Sequence, residues 1–60
     1  MNYPFGRAEY LTIYGTLFRE RGALEEARQR FEEALTIFLQ LGARKDVERV
    51  QAALAQLPAL

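Results

Sequence analysis

Apolar residues recur along this chain at helical spacing in three blocks, separated by glycines at Gly22 and Gly42. The clearest block runs from Leu24 to Leu41 without Gly, Pro or a turn cluster. Leu24, Ala27, Phe31, Ala34, Phe38 and Leu41 follow one another at intervals of three and four, which lays one apolar stripe along a helix of about five turns. Leu35, Ile37 and Leu39 lie beside or behind that stripe, so this helix is built to be packed between neighbours.

The first block predicts a helix over 4–21, with Pro4 tolerated in the first turn and a lead-in before it. One face carries Leu11, Tyr14, Gly15 and Phe18, and a second carries Tyr10, Ile13 and Leu17. Gly22 follows the basic turn Arg19-Glu20-Arg21, the setting for a left-handed cap. With only Gly22 and Ala23 between the patterns, the helix over 24–41 must fold back antiparallel on the first. Glu25 and Glu26 suit its first turn, and Glu26–Arg30 and Arg28–Glu32 are expected as pairs at i,i+4. Gly42 stops it. Ala43, Val47, Val50, Leu54 and Leu57 predict a third helix over 43–57, with Asp46 as an alternative cap for a later start, small alanines at 52, 53 and 55, and Pro58 as its terminator. No stretch reads as a strand. The expected fold is all-α: a helix hairpin plus a third capping helix in one domain, 1–60, assembling into a larger helical bundle.

Size sharpens that expectation. A chain of 60 residues is marginal as an independent domain, and this one has no Cys and no His. Disulfides and thiolate metal sites are therefore excluded, and with 50% of residues hydrophobic, close helix packing or association with another chain must supply the stability. Eight basic and eight acidic residues cancel and are interleaved, which leaves no basic patch for nucleic acid. No apolar run reaches the ~18 residues that span a bilayer, and the N-terminal residues lack a signal-peptide pattern. The cytoplasm is the expected compartment.

The residue types also argue against catalysis. Ser, Cys and His are all absent, and Thr12, Thr16 and Thr36 have no neutral-pH base beside them. The adjacent carboxylates Glu25-Glu26 and Glu32-Glu33 diverge on a helix surface, so they form neither a catalytic dyad nor a metal site without His or Cys partners. The glycines are dispersed, so no phosphate-binding loop exists. No enzyme activity, cofactor, metal or nucleic-acid partner is expected.

Leu11-x2-Tyr14-Gly15-x2-Phe18, followed by Ala27-x3-Phe31-x2-Ala34, resembles the tetratricopeptide repeat in residue type and spacing. Gly15 and Ala27 are small where the two helices approach, and Phe18 and Phe31 fill the space around that contact. Leu11 stands in place of the family's usual Trp, and no Pro follows the second helix. This longer form looks like repeats at the ends of large bacterial ATPase-type transcription regulators and cyclase-associated proteins, where repeats form a sensor or docking arm. The resemblance covers about one and a half repeats and implies a scaffold for a protein partner. A carboxylate clamp of the chaperone kind is not expected, because Glu9, Thr12, Ile13 and Thr16 occupy the polar positions along the first helix and no cation appears before Arg19.

The expected function is a non-catalytic protein–protein interaction module that associates with itself, as a homodimer or higher species, through apolar helix faces. Tyr10, Ile13, Leu17, Ile37 and Leu39 are the expected interface residues, with Tyr3 and Phe5 behind them. Tyr3, Phe5, Tyr10 and Tyr14 read as an aromatic cluster that serves either as contact surface or as core. The alternative is a regulatory or sensor repeat segment of a larger ATPase or transcription regulator, its apolar faces left uncovered by missing repeats.

Overall fold

A computed structural model describes residues 3–58. Within them the protein is all-α, with α1 (Pro4–Glu20), α2 (Leu24–Leu41) and α3 (Arg44–Gln56) and no strand. The lead-in expected at Met1 and Asn2, and the tail at Ala59 and Leu60, lie outside the described residues. The first helix stops at Glu20 and the third at Gln56, short of the expected 21 and 57. Leu57 is extended (φ −70°, ψ 135°), although its side chain is buried with the core. Pro58 explains this, because a residue preceding proline is pushed out of the α region.

One turn is used twice. Gly22 takes φ 80°, its N–H donates to the Arg19 carbonyl at 3.0 Å, and the Ala23 N–H donates to the Phe18 carbonyl at 2.9 Å. Gly42 takes φ 68°, with its N–H on Leu39 at 3.2 Å and the Ala43 N–H on Phe38 at 3.0 Å. These are the paired bonds of a Schellman closure, which needs a residue that tolerates positive φ. Phe18 and Phe38 each stand four positions before a Gly-Ala step, so the same local sequence makes the same turn. Ala23 and Ala43 enter the next helix at nearly identical dihedrals, φ −82° with ψ 73° and 78°. Asp46 does not cap α3; it sits in the first turn and pairs with Arg49 at 2.9 Å.

The hairpin contacts run in opposite directions along the two helices. Phe5 meets Phe38 edge-on at 5.6 Å between ring centroids, the Gly15 backbone lies against Phe31, and the Arg30 guanidinium sits over the Phe18 ring at 5.8 Å. α1 and α2 are therefore antiparallel. α3 packs on α2, and α1 touches it through Glu9, whose carboxylate accepts from Arg49 at 2.6 Å.

The core is formed by Ala8, Ala27, Phe31, Ala34, Phe38, Val50 and Leu57, with Leu11, Phe18, Leu24, Leu35, Ile37, Val47 and Leu54 packed around it. The stripe on α2 supplies Ala27, Phe31, Ala34 and Phe38, alternating small and large, and each large ring contributes roughly 1.5–3 kcal/mol of burial. Leu41, at the end of the stripe, is exposed. α1 has the least intrinsic tendency to be helical. It contains Gly6 and Gly15, has no acidic residue in its first turn and has no side-chain cap. Packing against α2 holds it in shape.

Candidate interaction surface

Gly15 sets the rotation of α1. Its missing side chain lets the α1 backbone rest on the Phe31 ring, which turns Ala8, Leu11, Gly15 and Phe18 toward α2. The opposite side then carries Tyr10, Ile13, Tyr14 and Leu17, which are 57%, 59%, 40% and 48% exposed. Their spacing, i, i+3, i+4 and i+7, makes one continuous apolar ridge along the helix. α1 is thus apolar on two sides and covered on one.

Tyr14, grouped by its spacing with Leu11, Gly15 and Phe18, lies on this ridge instead. Its ring stacks on Tyr10 with centroids 4.7 Å apart and an interplanar angle of 27°, and its hydroxyl donates to the Tyr10 hydroxyl at 2.9 Å. That hydrogen bond, together with the neighbouring Tyr10 charge that would form at high pH, raises the Tyr14 pKa above the ordinary tyrosine value. The i,i+4 spacing of the two tyrosines was the available signal for this pairing.

Shallow hollows border the ridge. Arg7, Tyr10, Leu11 and Tyr14 line one, and Tyr14, Leu17, Phe18 and Arg21 line its continuation on the same flank. On the other flank Glu9, Thr12, Ile13, Thr16, Leu17 and Glu20 form a hollow closed by Arg49. The threonine hydroxyls there are occupied by their own helix: Thr12 donates to the Ala8 carbonyl at 2.8 Å and Thr16 to the Thr12 carbonyl at 3.0 Å. Arg7 lies at the N-terminal end of the ridge and Glu20 at its C-terminal end, both exposed, and neither makes an ion pair among the described residues.

The expected interface residues do not form one patch. Tyr10, Ile13 and Leu17 share the ridge. Phe5 is half exposed, and its ring meets the buried Phe38 ring edge to face. Tyr3 and Ile37 meet at another hollow with Pro4, Arg7 and Gln40. Ile37, expected to point away from the core, is half-buried against it, because the start of α1 covers that side of α2. Leu39 is exposed at the turn into α3, where it shares a hollow with Gly42, Arg44 and Val47. The aromatic cluster likewise divides into a Tyr10–Tyr14 stack and a Phe5–Phe38 contact.

Two of the expected helical ion pairs are replaced by another. Arg30 reaches forward to Glu33 at 3.1 Å, not back to Glu26, and Arg28–Glu32 is not among the ion pairs of the described residues. Among these residues no group of acidic side chains is placed to hold a metal ion, and no helix is long and apolar enough to cross a membrane. No family model, curated protein or solved structure matches this chain.

Proposed function

We propose that this chain is a non-catalytic protein–protein interaction module of the tetratricopeptide-repeat kind, and that it associates with copies of itself through the outer ridge of α1. The observation that carries this reading is the row Tyr10, Ile13, Tyr14 and Leu17, apolar at every ridge position and open to solvent. Tyrosines suit such a surface, since the ring is buried on association while the hydroxyl keeps a polar partner. The repeat assignment is supported by the buried Ala27, Phe31 and Ala34 and by the Gly15–Phe31 contact, which fall where the repeat pattern calls for small and aromatic residues. The non-catalytic assignment is supported by the threonines, whose hydroxyls bond their own helix. The cytoplasm is the compartment that goes with this reading, in keeping with a chain that has no Cys.

Light scattering on a sizing column across a wide concentration range tests the proposal. The wild type should associate as concentration rises, and Ile13→Glu with Leu17→Glu should give a folded, less associated protein. A folded wild-type monomer at every concentration would overturn self-association and return the ridge to a neighbouring helical segment of a larger regulator. Loss of fold in the double variant at all concentrations would make Ile13 and Leu17 core residues and end their assignment as interface.

A further inference from the structure

Two of the hollows on α1 have the same build. Arg7, Tyr10, Leu11 and Tyr14 line one, and Tyr14, Leu17, Phe18 and Arg21 line the other. Each set falls at i, i+3, i+4 and i+7, and the second repeats the first seven residues later, with Tyr14 common to both. Four residues so spaced are what one helix offers to receive a single side chain of a facing helix. Between the two arginines the linings are apolar or aromatic. The arginines themselves are exposed and stand at the outer ends, about 21 Å apart along the helix. Neither makes an ion pair among the described residues. Glu9 and Glu20 line the hollow on the other side of the ridge, and Glu9 holds Arg49. On α2, Arg30 lies over the Phe18 ring and is paired with Glu33.

We infer that this flank of α1 is a docking site for an acidic amphipathic helix of another protein. That helix sets two large apolar side chains, seven residues apart, into the two hollows, and a carboxylate beyond each of them meets Arg7 and Arg21. Charge decides the occupant. The guanidinium fork takes a carboxylate through paired hydrogen bonds, and the two ends of the flank carry the same sign, so the partner must be acidic at both ends. No helix of this chain meets that demand: carboxylates of comparable separation, such as Glu20 with Glu33 and Glu32 with Asp46, straddle a turn. Along one stripe of the partner the order is carboxylate, large apolar, small, large apolar, carboxylate, with the small residue over Tyr14. The site goes beyond the self-association proposed above and limits it. Tyr10, Tyr14 and Leu17 belong both to the ridge and to the hollows, so a chain holding such a helix does not pair through its ridge.

The probe is a synthetic helical peptide with Glu, Leu, Ala, Leu and Glu at heptad spacing along one face and alanine and glutamine elsewhere. It is followed by fluorescence anisotropy as the full chain is added at low ionic strength, where exposed charges are least screened. It should bind, and peptides with both glutamates replaced by lysine, or both leucines by alanine, should bind at least about tenfold more weakly. Arg7→Gln and Arg21→Gln should each weaken binding by about two- to fivefold, with circular dichroism checking that each variant is folded. Glu20→Gln, on the other flank, should change binding by less than about twofold, whereas attraction set by net charge alone would gain from Glu20→Gln what it loses from Arg7→Gln. No binding at concentrations where the chain is monomeric, equal binding of the glutamate and lysine peptides, or equal and opposite effects of Glu20→Gln and Arg7→Gln would overturn the inference. Sedimentation of the chain alone separates the two readings. A chain that never self-associates yet binds the peptide defeats only self-association, and one that self-associates but ignores the peptide when diluted to monomer defeats only this docking site.

Discussion

The backbone of Gly15 and the ring of Phe31 occupy adjoining space with no room for a methyl group between them: a Cβ on Gly15 would lie 2.7 Å from Phe31 Cε1 and 2.8 Å from Cδ1. At Gly6, in the same helix, a Cβ would meet only Tyr3 Cβ at 3.7 Å, an ordinary contact. The same substitution should therefore have opposite signs at the two sites. Gly6→Ala should stabilise the fold by about 0.5–1 kcal/mol through helix propensity. Gly15→Ala gains the same propensity but overpacks a buried aromatic, at about 1–3 kcal/mol, and should be a net loss. Urea denaturation of both variants measures this. Phe31→Leu in the Gly15→Ala background should cost less than the two changes summed, and strict additivity would mean that the two positions do not compete for space.

α3 is fastened to the hairpin by apolar packing centred on Val50, with Val47 and Leu54 around it, and by one exposed ion pair, and the buried and charged contacts should differ in worth. Val50 is fully buried on α2, so Val50→Ala should cost about 2 kcal/mol in lost burial and residual cavity. Arg49 and Glu9 are 52% and 44% exposed, so Arg49→Ala should cost less than about 1 kcal/mol and approach zero at high salt. Thermal unfolding of both variants at low and high ionic strength separates these contributions. An Arg49→Ala loss that equals or exceeds the Val50→Ala loss would make electrostatics the main fastening.

The stacked tyrosines predict an alkaline signature. Tyr14 must give up the proton it donates to Tyr10 in order to ionise, so its folded pKa lies above the ordinary value of 10.0. A folded pKa above the unfolded one means that the stabilising contribution is complete below about pH 10 and is lost as pH rises through the folded value of Tyr14. Ring-carbon NMR should show Tyr14 titrating high in the wild type and returning toward the ordinary value in Tyr10→Phe. A wild-type Tyr14 that already titrates at the ordinary value would mean that the hydroxyl pair is not maintained in solution.

The rhythm of Ala27, Phe31, Ala34 and Phe38 was enough to place the buried stripe of α2, and Gly22 and Gly42 were enough to place both turns, because these are local consequences of spacing and of backbone freedom. Tyr14 was not assignable in the same way. It lies between the two faces of α1, and its side is decided by how closely Gly15 lets that helix approach Phe31, a contact between helices. Ile37 depends on the start of α1 in the same sense, and Leu41, though in rhythm with the stripe, is exposed in the last turn of α2. Arg30 reaches Glu33 while its guanidinium lies over the Phe18 ring of the opposite helix, a partner that i,i+4 reasoning on one helix does not consider. Of the ridge, Tyr10, Ile13 and Leu17 were legible as a second apolar face. Tyr3, Phe5, Ile37 and Leu39 share apolar character with them but are distributed elsewhere by the fold.

The repeated Phe-x3-Gly-Ala turn packs both α1 and α3 on α2 and makes them its two margins, joined to each other on one side by the Glu9–Arg49 pair. The margins are unlike. α1 shows its apolar ridge, whereas α3 contributes no large apolar side chain to the exposed surface among the described residues. A bundle with one adhesive margin and one inert margin can grow only once. When two such bundles join through α1 they consume both adhesive margins, and the product presents α3 at either end. Under the self-association proposed above, this difference acts as a stop signal: the proposed assembly ends at two chains and does not extend into a filament.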